Sequence, residues 1–323
     1  MKKNISLFGL LNLLILFIIS CENDDDLTPK VSLYDLNKEI VEINVTNTAT
    51  GLRSVFNDMA TDSVSRAHLS QAFVNNAVFF DDDSGYFFIE TLNDAWVVAH
   101  INQNLIGTSR INAQDINGKY HVQEMVNTVN HRGYGFVEYY FLNPSNGLEE
   151  SKLSFVTGID PPGWFIGAGF YNSNLGSSFL GEKEANKLLI KQVVKSMSGG
   201  FSGISQYIYT SIDDRTTFFR RFVNHIRFFD DQSGYVFILD TEGIMVAHGD
   251  RQDLEGQDLW NLQDSQGNYF TRGLIETALN NPSGGYYQYF WENPANGSEE
   301  LKTSFVIVIP GTNYILGSGV YQN

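Results

Sequence analysis

One cysteine in 323 residues, Cys21, excludes an internal disulfide and any metal site built from several cysteines. Basic residues are scarce as well: 21 Lys and Arg stand against 37 Asp and Glu, for a net charge of −16. A surface of that sign repels phosphate backbones, so nucleic acid is excluded as a partner class. Past the first 20 residues no apolar run is long enough to span a bilayer. Catalytic signatures are missing too. The histidines fall in no H-E-x-x-H spacing, and no serine sits in a G-x-S-x-G elbow. "FDDDSGY" at Phe80 and "FDDQSGY" at Phe229 place their glycine one position early for a calcium loop and lack its closing glutamate, so they read as polar turns. "GAGFY" from Gly167 and "GSGVY" from Gly317 lack the third glycine and following helix of a dinucleotide loop; they read as strand glycines that admit another backbone. No catalytic residue, metal or cofactor is therefore expected.

What is present begins with a leader. Lys2 and Lys3 precede an apolar stretch from Leu7 to Ile19, and Ile18-Ile19-Ser20-Cys21 resembles the lipobox of bacterial lipoproteins. The expectation is a signal peptide over residues 1–20, lipidation of Cys21 and a tether over 21–32. The acidic run Glu22 to Asp26 reads as a solvated tether and also resembles the export signal of some Bacteroidota lipoproteins. Either display at the cell surface or a periplasm-facing outer-membrane anchor follows, with the membrane a partner only through the lipid.

Hydrophobic residues make up 42% of the chain and aromatics 14%, enough to fill ordinary cores, and the length suits two domains. The chain repeats itself. Gly85-Tyr86 matches Gly234-Tyr235 and Ala99-His100 matches Ala247-His248; "YYFLNPSNGLEE" from Tyr139 matches "YFWENPANGSEE" from Tyr289. "KLSFV" from Lys152 pairs with "KTSFV" from Lys302, and "GAGFY" with "GSGVY". Matched motifs in fixed order imply two copies of one fold, expected over 33–175 and 176–323. Each copy opens with a helical region, where Leu69, Phe73 and Ala77, or Phe218, Phe222 and Ile226, recur every fourth residue. Ser198-Gly199-Gly200 predicts a turn dividing the second region into two helices, with Ser211 and Asp213 as N-caps. Period-two segments then predict five strands per copy: "YVFILD", "IMVAH", "YYQYFWE", "KTSFVIVI" and "YILGSGVY" in the second. A helix-like stretch from Phe270 to Leu279 lies in the long connection. The class is α+β, each copy an antiparallel sheet of about five strands backed by long N-terminal helices.

The ordered set "GYVFILDTEGIMVAH", "LEGQDLWNLQDSQGNYF", "GGYYQYFWENP", "LKTSFV", "YILGSGVY" resembles a Cache domain of the single class-two type, a PAS-like extracellular sensor family. The likeness runs from about Glu182 to Asn323 strongly and from about Leu33 to Tyr171 more weakly. The first copy replaces the tight Asp-x-x-Gly turn by Leu92-Asn93-Asp94-Ala95, one residue longer, and so departs from the pattern beside its own site. What the resemblance implies is ligand binding between the sheet and the connection after the Ala-His strand, which points to Trp260, Tyr269 and Arg272. Arg272 is a candidate fork for a carboxylate or an ordinary helix-surface arginine; the first copy has Val122 and Gln123 near that place.

Strand alternation supplies the remaining candidates. Tyr287, Tyr289 and Trp291 share one face of their strand; Lys302, Ser304 and Val306 share one face of theirs. If the faces coincide, an ammonium and aromatic rings line one cavity. Lys302 is then salt-bridged, exposed at a strand edge, or a cation waiting for an anion. Tyr139, Lys152 and Ser154 are the matched candidates of the first copy. His248 is expected to face the way Ile244 and Val246 face, as ligand contact or as a hydrogen-bonded structural group, and His100 likewise. The ligand class implied is a small organic anion such as a carboxylate. Ending without a kinase or methyl-accepting segment, such a chain would pass its signal or ligand to a separate sensor kinase, transporter or other envelope protein. An adhesin or assembly scaffold using the fold without a ligand, and an unrecognised enzyme, stand as alternatives.

Overall fold

The computed structural model describes residues 30–172, 175 and 178–321. Cys21 and the expectations attached to the leader and most of the tether lie outside the described residues. Two long helices organise the molecule. α1 (Leu33–Asp58) starts where the Ser32 hydroxyl accepts from the Asp35 N–H at 3.0 Å, and α4 (Glu182–Tyr207) is its counterpart in the second half. Directly ahead of them β1 (Lys30–Ser32) and β8 (Phe179–Gly181) pair antiparallel, joining the start of one half to the start of the other. The second helices, α2 (Ser63–Val74) and α5 (Ile212–Val223), are capped by Asp62 and Ser211. Ser211 is the expected cap; Asp213 sits in the first turn of α5 instead.

The expected break at Ser198-Gly199-Gly200 does not occur. α4 runs through it unbroken, because these glycines serve close approach and not a turn. A Cβ on Gly200 would lie 2.3 Å from the Phe73 ring of α2, and one on Gly51 of α1 would lie 2.4 Å from the Phe222 ring of α5. The helical cost of glycine, about 1 kcal/mol, is offset by packing an aromatic ring against bare backbone.

The first sheet comprises β2 (Val78–Phe79), β3 (Gly85–Thr91), β4 (Val97–His100), β5 (Tyr134–Leu142), β6 (Glu149–Ile159) and β7 (Trp164–Tyr171) in the order β2-β3-β7-β6-β5, with β4 on β3. That is one short strand more than the expected five. The second comprises β9 (Val236–Asp240), β10 (Met245–His248), β11 (Gly285–Glu292), β12 (Glu299–Val308) and β13 (Tyr314–Tyr321) in the order β10-β9-β13-β12-β11. Every pairing is antiparallel.

One apolar core, holding Phe56, Phe73, Phe201 and Phe222, fills the space between the two sheets and contains all four N-terminal helices. Within it α1 packs on β6 and β7 and also on α5, while α4 packs on β12 and β13 and also on α2. The "FDDDSGY" turn bonds across the halves: Asp81 and Asp83 pair with Lys191 and Lys195 of α4, each at 2.8 Å. On the outer faces α3 (His121–Arg132) covers β5 and β6, and α6 (Phe270–Asn280) covers β11 and β12, closing two smaller clusters. The candidate ligand residues lie there.

Candidate functional site

Pairing of β11 with β12 sets Tyr289 opposite Lys302 and Tyr287 opposite Ser304, so the two predicted faces coincide. Tyr289 Oη and Ser304 Oγ are 3.2 Å apart, as Tyr139 Oη and Ser154 Oγ are 3.1 Å apart in the first half. Lys302 is fully buried. Its ammonium sits 3.7 Å from the centre of the Tyr235 ring and 4.9 Å from that of Tyr321, whose hydroxyl accepts from Nζ at 3.3 Å. Lys152 repeats this cage, 3.6 Å from the Tyr86 ring and 5.0 Å from that of Tyr171, and its Nζ has no hydrogen-bond partner among the described residues. Burial pushes the pKa of both lysines well below the usual value, since a bare ammonium in apolar surroundings is poorly solvated. The cage tyrosines Tyr86, Tyr171, Tyr235 and Tyr321 escape the sequence reading of the site, although the repeat itself preserves them in "GY" and at the end of "GAGFY" and "GSGVY".

His248 and Val246 do not share a face. A bulge between Met245 and Ala247 shifts the register of β10, so Val246 turns into the central core while His248 meets Tyr235 at 4.9 Å and Trp291 at 6.3 Å. Its Nδ1 accepts the Asp250 and Arg251 backbone N–H groups, and His100 Nδ1 accepts that of Asn102. Both rings thus hold the following loop while bordering the cage. Burial, then the nearby lysine, lowers both pKa values, that of His100 to about 3, and both imidazoles are neutral.

Arg272 does not converge on Lys302. Phe270 and Leu274 face the sheet, and two positions on from Phe270 a helix has turned about 200°. The Arg272 guanidinium stacks on Tyr269 at 4.1 Å, lies over Trp260 at 5.4 Å, and is spent on the Trp260 carbonyl at 2.9 Å and on Asn261. Tyr269 is 42% exposed, and Trp260 packs on the edge of the outer cluster. Phe270 takes the inner place, stacked on Tyr289 at 5.0 Å and reaching Trp291 at 5.2 Å. Trp291 also borders an outer groove of about 270 Å³ with Arg251, Asp264 and Glu299.

The first half departs from this plan. Its cavity is walled by Tyr86, Phe88, His100, Tyr139 and Phe141 together with three chemistry-bearing side chains, Glu90, Arg110 and His121, that the sequence reading leaves unremarked. His121 opens α3 and stacks on Tyr139 at 4.6 Å, the place Phe270 holds opposite Tyr289. Arg110 lies over Phe141 at 5.3 Å with Nη2 3.4 Å from His121 Nε2. Glu90, on β3, is 3% exposed, and its Oε2 has no partner among the described residues. Burial pushes its carboxyl up to about 8 against the opposing pull of Arg110. Free space inside is about 10 Å³, room for one water. Arg110 also lines an outer hollow of about 540 Å³ formed by the 105–113 loop, so it stands between solvent and the cavity. Among the described residues no group of three His, Cys, Asp or Glu side chains is placed to hold a metal ion.

Comparison with known proteins follows the same division. The family model for single Cache domain 2 matches residues 35–184 and again 180–323. The sensor histidine kinase MctS of Rhizobium johnstonii is 32% identical over 90 residues, which are 28% of this chain and 19% of that protein. The chain thus spans about a fifth of the length of that curated relative. Among solved structures, a periplasmic sensor domain of a chemotaxis protein is 27% identical, over 43% of this chain and 96% of that one, with a TM-score of 0.38. A Cache chemosensory domain described for carboxylic acid recognition is 23% identical, over 44% of this chain and 96% of that one, also at 0.38.

Proposed function

Because this chain belongs to the single Cache domain 2 family through both of its halves, we propose that it is a lipid-anchored extracytoplasmic receptor for a small organic anion of the carboxylate kind. Cache domains are extracytoplasmic sensor modules, and no helix among the described residues is long and apolar enough to cross a membrane. Attachment then rests on Cys21, at the outer membrane, with the acidic stretch after it favouring the cell surface. The signal or the ligand passes to a separate sensor kinase, transporter or other envelope protein.

One observation carries the reading: a fully buried lysine amine inside an aromatic cage, at equivalent places of both modules, in no ion pair among the described residues, with Asp250 acting on Lys302 only at longer range. Isolated buried charge is costly, and an entering carboxylate relieves that cost in the protonated state. The aromatic walls exclude water and sharpen the attraction. Thermal denaturation of the full chain with acetate, propionate, lactate and pyruvate tests it. At 100 times the dissociation constant a ligand stabilises by about 2.7 kcal/mol, a rise of a few degrees. Replacement of both cage lysines by methionine abolishes the response; an unchanged response in that double variant, or no response in the native chain, rejects anion capture at these cages.

A further inference from the structure

The two modules keep the same cage and differ in what stands around it. Lys152 and Lys302, Tyr86 and Tyr235, Tyr139 and Tyr289, and His100 and His248 correspond. Around them, Glu90 of the first module is replaced by Leu239, Arg110 by Leu259 and His121 by Phe270. Those three replacements all belong to the apolar cluster that closes the second module. The duplication therefore comes with a matched control: where the second module packs hydrocarbon, the first holds an acid, a guanidinium and an imidazole facing one cavity.

A site for a bare carboxylate uses the charge of Arg110 and the ring of His121, while Glu90 adds at most one O–H donor to it. A buried acid with an orphaned oxygen costs stability in the free protein, and once it has lost its proton it repels an anionic ligand. An ammonium on the ligand gives the acid a charged partner, which the one water the cavity admits does not. We infer that the first module's cavity takes a small zwitterion of the α-amino-acid kind, its carboxylate held by Arg110 and His121 and its ammonium by Glu90. This rests on the anion reading above and narrows the ligand class of the first module, where Arg110 and His121 join Lys152, seated behind the shared Tyr86 and Phe141 rings, in meeting the carboxylate. Arg110 is the cation whose charge acts on Glu90, so the two supply opposite poles to one small molecule. The free space of about 10 Å³ restricts the guest to a few heavy atoms and requires the walls to give on entry. Arg110, shared with the outer hollow, is the wall residue positioned to swing. The second module has Leu239 and Leu259 where the first has Glu90 and Arg110, so that pair of opposite charges is not repeated there.

Calorimetric titration of the full chain carrying Lys302→Met, which silences the second cage, with L-alanine, with propionate and with ethylamine isolates each pole of the first, since the second and third probes lack the amine and the carboxylate. Alanine is expected to bind at least about tenfold more tightly than either. Glu90→Gln removes the charge that meets the amine and brings alanine down to the affinity of propionate, leaving propionate itself unweakened. Glu90→Leu installs the residue the second module tolerates at that place and gives the same result if the first variant fails to fold. Propionate binding as tightly as alanine, or an alanine preference that survives both substitutions, overturns this inference and leaves the anion reading standing. Ethylamine matching alanine overturns this inference, and silence from all three probes together with the acids tested above overturns both.

Discussion

At the scale of single residues, the buried ionisable groups are costly to the free fold. Lys302 occupies a cage of rings where a thioether chain of similar volume fits without desolvating an ammonium. Lys302→Met is therefore expected to leave the ligand-free protein as stable or more stable, by about 1 to 4 kcal/mol, while removing carboxylate capture in that module. Urea denaturation with and without ligand reads both effects, and a strongly destabilised variant would mean that the ammonium holds the cage together. Glu90 gives a pH dependence of defined sign. Its folded pKa of about 8 lies above the 4.5 of the exposed group, so between those values the folded chain binds more protons than the unfolded one. Its contribution is present below pH 4.5 and is lost as the pH rises through 8, by on the order of 4 to 5 kcal/mol in full. Stability of the native chain relative to Glu90→Gln should fall from pH 5 to pH 8. A flat difference would place the Glu90 carboxyl in contact with solvent or a cation.

At the scale of elements, glycine in α4 is the informative case. Ala is the better helix former by about 1 kcal/mol, so Gly200→Ala on an exposed helix would stabilise. Here the added methyl meets the Phe73 ring at 2.3 Å, in a core where Phe73 also stacks on Phe222 at 5.6 Å. The variant should lose about 1 to 3 kcal/mol in chemical denaturation, and Gly51→Ala, which meets Phe222, should do the same. A neutral result would mean that α2 and α5 can retreat from the long helices. The outer helices make the complementary point. α6 presents Phe270 and Leu274 to the sheet and leaves Arg272 outside, so Arg272→Ala should spare ligand binding and Phe270→Ala should open the cavity beside Tyr289.

For the whole molecule, the two modules are not beads on a string. α1 packs against α5 of the other half and α4 against α2, and the single core between the sheets draws on both. Neither half can bury its long helix alone, so calorimetry of the full chain should give one cooperative transition with matching calorimetric and van't Hoff enthalpies. Two separated transitions would mean that the shared core contributes little. Because the core is common, Phe222→Ala in the second module is expected to lower the stability of the first as well, by about 3 to 5 kcal/mol. Ligand taken up by the first module should raise the one melting temperature that both share.

The sequence by itself determined the duplication and most strands of each copy, and it singled out Lys152 and Lys302 as candidates, because strand periodicity is local and the repeat aligns most elements with a twin. It also determined that Tyr289 and Lys302 could share a face, since alternation along a strand leaves two choices and pairing makes one. Three matters were decided only by the tertiary structure. The bulge in β10 turned His248 away from Val246, since register depends on the partner strand. Arg272 turned outward because α6 is phased by the sheet beneath it. Glu90 and Arg110, 20 positions apart on a strand and a loop, came to line one cavity only when the chain closed over β3. Contacts of that kind leave no periodic trace, since they are made by packing across the chain and not by spacing along it.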